Sequence, residues 1–296
     1  METHTQYSIF GKDAWTILSD IELSIKTKVE SVGIPLKDWD VEIYRGVLTG
    51  YNDAFIISSE KRNEILDNCA DEEERERTSA IIRPILRGRD IYRYGYKWAD
   101  LWLINTHNGF KDGVERIHIE DYPSIKQHLD NHFDKLESRA DKGDTPYNLR
   151  NCAYLDLLVQ PKIIWGEISD RSKFCLDVKG VFYPEATTFM LSGEHLPYLL
   201  AFLNCNVSEY LFSLIGTTTG VGTVRWKKYK ILELPVPMQL PKNQYDAIVS
   251  LCNKIINTQD VTMGSTHDIN KLNELISNVY GLSNEEVNYI NSHLRK

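Results

Sequence analysis

Few residues in this sequence have the types and spacing to do chemistry. His128 and His132 stand four apart in a helical pattern, the spacing at which two imidazoles on one face share a metal. No third ligand stands near them, so a solvated helix face is the plainer reading. Asp177-Val178-Lys179 resembles half of a nuclease metal motif, but nothing acidic and proline-led precedes it, and "DVKG" reads better as a hairpin turn. Gly216 to Gly222 is glycine-rich like a phosphate cradle, yet the Lys and Ser/Thr that complete one do not follow. The sequence also lacks GxGxxG after a strand, GxxxxGK[ST], GxSxG and HExxH. Catalysis by this chain alone is not expected, and no metal site is assigned.

Three stretches have the chemistry of DNA contact. "DIYRYGYKW" alternates, so as a strand it would carry Tyr92, Tyr94, Tyr96 and Trp98 on one face and Arg93 and Lys97 on the other. Arg83, Arg87 and Arg89 add positive charge just before it. "TVRWKKYK" follows the Gly/Thr-rich loop and offers Arg225, Lys227 and Lys228, with Thr219 in the loop itself. "ESRADKGDTPYNLR" places Arg139 and Arg150 on a long polar loop, where binding residues commonly sit. Lys and Arg grip phosphates, and Arg pairs bidentately with guanine. For each stretch the competing reading is structural: an aromatic face packed on the core, or a solvated strand end.

The elements that must position these groups are mixed. A helix is expected over about 17–32, with Ser19 or Asp20 as N-cap and Gly33 as its stop. "VEIYRGV" and "AFII" read as strands joined by the turn chemistry of Thr49-Gly50-Tyr51-Asn52. A charged helix is expected over about 60–80, strand from Pro84 to Asn105, and a helix capped by Ser124. "PKIIWGEI", "SKFCLDV" and "ATTFML" predict short strands, and "HLPYLLAFLNCNVSEYLFSLIG" predicts helices. "ILELPVPMQLP" marks a boundary, since two spaced prolines do not fit a central strand or helix. Three helical patterns follow, with apolar stripes at Ile248, Leu251, Ile255 and at Leu272, Leu275, Val279. The expected fold class is mixed α+β: an α/β body over 1–238 and a helical tail over 239–296 that packs on the body or on a partner.

A net charge of −8 argues against a uniformly basic nucleic-acid binder and requires any DNA footprint to be local or shared with a partner. The 42% hydrophobic content is that of a folded protein, and no apolar run reaches the length of a membrane span. Five scattered cysteines with no CxxC pair point to reduced thiols and a cytoplasmic location.

Taken in order, the phrases "KVESVGIPLKDWDVEIYRGVLTGYNDAFII", "IIRPILRGRDIYRYGYKWADLWLIN", "YPSIKQHL", "LESRADKGDTPYNLRNCAY", "PKIIWGEI", "LLAFLNCNVSEYLFSL", "ILELPVP" and "LISNVYGLSNEEVNYI" carry a resemblance. The chain resembles the C-terminal target recognition region of type IIG restriction-modification enzymes and TaqI-like adenine methyltransferases. More distantly, it is similar to half of a type I restriction specificity subunit. The resemblance implies sequence-specific recognition of double-stranded DNA on behalf of a DNA methyltransferase or methyltransferase–endonuclease. It also implies that Gly46, Thr49, Gly50, Asn52, Phe55, Gly88, Asp90, Pro235 and Pro237 are framework positions, with Asp90 possible as a partner for Arg89. DNA contacts are then expected from Arg87, Arg89, Arg93, Lys97, Arg139, Arg150, Thr219, Arg225, Lys227 and Lys228.

The chain departs from the long enzymes of this kind in lacking their Phe-x-Gly-x-Gly-like cofactor loop and Asn-Pro-Pro-Tyr-like catalytic loop. Such a loop positions a flipped adenine for methyl transfer. S-adenosylmethionine and Mg²⁺ are therefore expected on the catalytic partner and not on this chain. That leaves a part of a longer enzyme, a split-gene product or a stand-alone specificity subunit. The alternative function is a protein-interaction module of a restriction-modification complex with no DNA binding of its own.

Overall fold

The computed structural model describes residues 7–10, 15–109, 113–219, 222–258 and 263–294. The fold is mixed α+β, with several small sheets and a helical C-terminal region. It has two compact units. A central unit comprises Glu42–Ile168 and Lys173–Gly193; a terminal unit comprises the chain up to Val41, Ser169–Ser172 and the chain from Glu194 onward.

The central unit is built on two four-stranded sheets. In one, Phe174–Asp177, Lys162–Gly166, Thr188–Gly193 and Val41–Arg45 lie in that order. Lys162–Gly166 is buried along its whole length, as the apolar run "IIW" between two partners requires. Ile164 pairs with Cys175 on one side and Met190 on the other. The second sheet runs Tyr183–Pro184, Ile82–Leu86, Leu101–Ile104, Ile56–Ser58. Phe55, Ile85, Leu103, Ile125, Leu129 and Leu158 are among the fully buried side chains of this unit's core.

Local chemistry moves several boundaries. The expected charged helix over 60–80 is two helices, Ser59–Asp67 and Glu72–Ile81, because Asp71 caps the second by accepting from the Glu74 N–H at 2.8 Å. Ser124 is not an N-cap: Tyr122 takes that place and Pro123 opens the helix Pro123–Asp130. The Ser124 N–H instead donates to Glu74 Oε1 at 3.0 Å, tying two helix starts together.

In the terminal unit, Trp15–Leu18 is a strand, and the first helix begins only at Asp20. The Ser19 N–H donates to Glu22 Oε2 at 2.7 Å, and the helix Asp20–Val32 buries Ile25 and Val29. Gly33 follows because a Cβ there would lie 2.8 Å from the Pro235 carbonyl carbon. Ile34–Pro35 pairs antiparallel with Pro235–Val236. Tyr280 Oη donates to the Pro235 carbonyl and Tyr198 Oη to the Pro237 carbonyl, each at 2.7 Å.

The "ELPVP" segment is therefore a hub inside the terminal unit, and the two units do not divide at residue 238. Two-residue strands tolerate prolines that a central strand would reject, because few N–H groups are needed. The apolar helices Leu196–Leu203 and Asn206–Ile215 bend by 63° between them and are largely buried; no single described helix is long and apolar enough to cross a membrane. The last three helices are Lys242–Asn257, Met263–Val279 and Asn284–His293. The first buries Ile248, Cys252 and Ile255, and the second buries Leu272 and Ile276, with Tyr280 buried just past its end; Cys252, Ile276 and Tyr280 thus stand where Leu251, Leu275 and Val279 were expected.

Candidate nucleic-acid interface

The phrase "TGYNDAF" folds as a tight entry into the short helix Asn52–Phe55. Thr49, 1% exposed, donates through Oγ1 to Asn52 Oδ1 at 2.5 Å. Gly50 takes φ +71°, which a side chain would resist. Beneath it lies Arg139, whose guanidinium donates to the carbonyls of Thr49, Pro146 and Asn148 and stacks over Phe55. Burial pulls its pKa down to about 10, with Asp141 partly opposing, so it stays charged at neutral pH. Arg139, expected from the sequence as a DNA contact, lies below the surface. At 7% exposure, with its donors turned to backbone carbonyls, it holds the entry loop to the polar loop 140–150 instead.

"RGRD" is a second fixed device. Arg87 donates through Nε and Nη2 to Asp90 at 2.9 and 2.8 Å, and its N–H donates to the same carboxylate at 3.2 Å. The carboxylate pushes the Arg87 pKa further up. The partner of Asp90 is thus Arg87 and not Arg89. The 3₁₀ turn Gly88–Asp90 leaves Arg89 exposed. Gly88 backs onto Gly166, with the Gly166 Cα 3.0 Å from where a Cβ would stand.

The run "DIYRYGYKW" is not one alternating strand. It is a tight hairpin, Ile91–Tyr92 against Gly95–Tyr96, with Tyr94 at φ +68°. The Tyr94 N–H donates to the Phe174 carbonyl at 2.9 Å and the ring is 4% exposed, so the turn is pinned to the neighbouring sheet edge. Gly95 makes the hairpin possible, since a Cβ there would meet the Tyr92 ring at 2.5 Å. The tyrosines therefore do not form a common face. Arg89 and Lys97, both exposed and without an ion pair among the described residues, flank the hairpin, and Arg93 is half-buried at its turn. Arg150 is exposed and pairs with Asp141 at 3.1 Å.

The other basic cluster belongs to the terminal unit. Thr217–Thr218 pairs antiparallel with Val224–Arg225, and the Thr219 N–H donates to the Thr223 carbonyl at 2.9 Å, which closes the loop's neck; Gly220 and Val221 lie outside the described residues. Trp226, 2% exposed, stacks on Phe212 with centroids 4.0 Å apart and anchors the run. Beyond it Lys227, Lys228 and Lys230 surround Tyr229, which is 54% exposed, with the Lys227 and Lys230 ammonium nitrogens 6.0 and 5.8 Å from its ring. Sequence reasoning does not single out Tyr229. Its flanking lysines are the available signal, since an aromatic amid cations is less easily buried.

The metal-like patterns take structural parts. His128 Nε2 is 2.9 Å from the Ala54 carbonyl, and burial lowers its pKa. No group of three or more potential ligands gathers among the described residues. Asp177 accepts from buried Lys162 at 2.9 Å and from the N–H groups of Val181 and Phe182.

No curated protein sequence matches this chain. Among solved structures it is similar to the type IIL restriction-modification enzyme MmeI in complex with DNA, at 12% identity and a TM-score of 0.62, over 98% of this chain and 40% of that one. It is also similar to the type IIG restriction endonuclease BpuSI, at 12% identity and a TM-score of 0.51, over 88% of this chain and 32% of that one. At such identity the likeness is one of fold, and this chain spans well under half the length of either enzyme. The model of the TaqI-like C-terminal specificity domain matches residues 83–236, more than half of the sequence and the region that holds both basic clusters; the chain belongs to that family.

Proposed function

We propose that this chain is the DNA target recognition part of a restriction-modification system of the type IIG kind, which reads a short DNA site and directs a methyltransferase or methyltransferase–endonuclease to it. The observation that carries the reading is the family match over residues 83–236, within which Arg89, Lys97 and Lys228 stand exposed, with Lys227 half-buried, at positions that Asp90, Phe174 and Phe212 hold fixed. Recognition needs such an arrangement: rigid supports for a few exposed cations, with phosphate contacts setting register and side chains reading base edges. Arg87 and Arg139 are supports in this scheme, Arg93 sits at the hairpin between Arg89 and Lys97, Thr219 and Arg225 belong to the neck that precedes Lys227, and Arg150 is an exposed cation of the polar loop, paired with Asp141.

Methyl transfer and cleavage belong to a catalytic part, in the same polypeptide or a separate cytoplasmic subunit. S-adenosylmethionine and Mg²⁺ would act there. The acidic balance of the chain fits a reader whose footprint is confined to its basic clusters and completed by that partner.

The test is a titration of fluorescent random-sequence duplex DNA at low and moderate salt, with sequencing of the retained pool. Retention that falls steeply with salt and enriches one motif is expected. Arg89→Ala with Lys97→Ala, and Lys227→Ala with Lys228→Ala, should weaken binding and reduce the salt slope by about one for each phosphate no longer neutralised, whereas loss of a base reader relaxes the motif by about 1–3 kcal/mol at one position. Retention that is absent at low salt, with or without the catalytic partner, leaves the protein-interaction module as the function.

A further inference from the structure

The terminal unit carries a pocket of about 170 Å³ that the DNA reading does not use, lined by Trp39, Asp40, Glu194, His195, Met238 and Tyr245. Its walls are aromatic. The His195 ring stands nearly perpendicular to Trp39, at 80°, and to Tyr245, at 84°. Tyr198, buried behind them, stacks on both Trp39 and Tyr245 and fixes their spacing. His195 Nδ1 lies 2.8 Å from Tyr245 Oη, which sets the imidazole's orientation.

The backbone is bent to place that ring. His195 has φ +58°, a left-handed conformation that only three described non-glycine residues adopt, and it does so immediately before the helix Leu196–Leu203. Strain of this kind persists where the surrounding structure holds a side chain in a required position. On the rim, Asp40 and Glu194 present exposed carboxylates, and Met238, 44% exposed, adds an apolar wall. No lysine or arginine lines the pocket.

Aromatic rings in the wall with carboxylates at the mouth suit an organic cation. Metal ions are poorly served, because Asp40, Glu194 and His195 do not gather as a ligand set. The volume suits one side chain, and the Met238 wall suits the methylenes of a long stem. A planar guanidinium exploits the site better than an ammonium, since it stacks on rings and meets carboxylates with a fork of donors. We propose that this pocket is a docking site for an arginine side chain of a protein partner. It is independent of the DNA-contacting residues, so its failure leaves the recognition function standing.

The test uses the full chain and a capped Gly-Arg-Gly peptide, with the citrulline peptide as neutral isostere and guanidinium chloride as free cation, followed by NMR of the tryptophan indole and histidine ring signals. Saturable shifts at Trp39 and His195 with the arginine peptide are expected. The citrulline peptide should bind at least about fivefold more weakly, and Asp40→Asn with Glu194→Gln should cost the arginine peptide a similar factor. Both substituted residues are exposed, so folding is preserved, and random-duplex binding by the double variant should be unchanged. Equal binding of the citrulline peptide, or no saturable shift at Trp39 and His195, would overturn the proposal. Guanidinium chloride binding as tightly as the peptide would assign the pocket to a free cation and equally defeat the docking reading.

Discussion

The guanidinium of Arg139 lies 4.5 Å above the ring centroid of Phe55, the last residue of "TGYNDAF". The same guanidinium donates to Thr49 and to the far loop at Pro146 and Asn148, so two segments about ninety residues apart share one cation. Replacing Arg139 with Met would strand three carbonyls, offset by relief of a buried charge. A net loss of about 2–3 kcal/mol is expected. Urea unfolding measures it, and Arg139→Lys should restore only part, because an ammonium cannot fork across three acceptors. DNA affinity per folded molecule should not change; a loss of affinity without a loss of stability would return Arg139 to the DNA-facing surface.

Gly46 opens the same framework for a different reason. Its N–H donates to the Thr188 carbonyl at 2.9 Å, and a Cβ there would overlap the carbonyl oxygens of Glu185 and Pro184. Backbone cannot yield as a flexible side chain can. Gly46→Ala is expected to cost about 2 kcal/mol or more. Calorimetry should show the melting transition of the central unit lowered by roughly 4–8 °C. An unshifted transition would mean that Val47 and Glu185 separate freely, contrary to their bridged pairing.

What the sequence revealed was local. Ser19 advertised a helix start, and "PKIIWGEI", "SKFCLDV" and "ATTFML" each contain a strand of one sheet. The positive φ of Gly50 was equally plain, but the strand–turn–strand expected around it is not formed: Asn52–Phe55 is helix, and Val41–Arg45 and Ile56–Ser58 belong to different sheets. Long-range partnerships were not. Nothing near Arg139 announces that its acceptors lie at Thr49, and nothing in "YRYGY" shows that Phe174 will accept from the Tyr94 N–H and fold the run into a hairpin. Charge and position alone made Arg87, Arg89 and Arg139 look equivalent. Partners distinguish them: a carboxylate for the first, carbonyls for the last, and exposure for Arg89.

Lys162 shows the same gap between composition and role. It is fully buried at the head of the strand Lys162–Gly166 and donates to Asp177 and to the carbonyls of Leu158 and Gln160. Burial pulls its pKa down against the pull of Asp177. Lys162→Met should cost about 3–5 kcal/mol because the Asp177 charge stays buried without its cation. Adding Asp177→Asn should recover part of that loss, so a double-mutant cycle by urea unfolding should give a coupling above about 1 kcal/mol. Strict additivity of the two losses would show that the pair does not act as a pair.

Glu286 gives the terminal unit a pH dependence that can be signed in advance. Burial alone would raise its pKa. Donation from Lys28 Nζ at 2.8 Å, the Ser283 N–H at 2.6 Å and Ser24 Oγ at 2.7 Å outweighs that and holds it at about 2. An unfolded chain returns the group to its ordinary 4.5, so as pH falls the unfolded state takes up the proton first. The contribution is full above about 4.5 and drains away as pH falls toward about 2. Its size is at most about 3 kcal/mol from the shift, and about 2 once the partly exposed Lys28 is screened. Urea unfolding at about pH 6 and about pH 3 should show the wild type losing roughly 2 kcal/mol more than Glu286→Gln, since the amide has no proton to gain. Equal losses would mean that Ser24, Lys28 and Ser283 do not hold the carboxylate in its charged form, and that the acid sensitivity of this unit originates elsewhere.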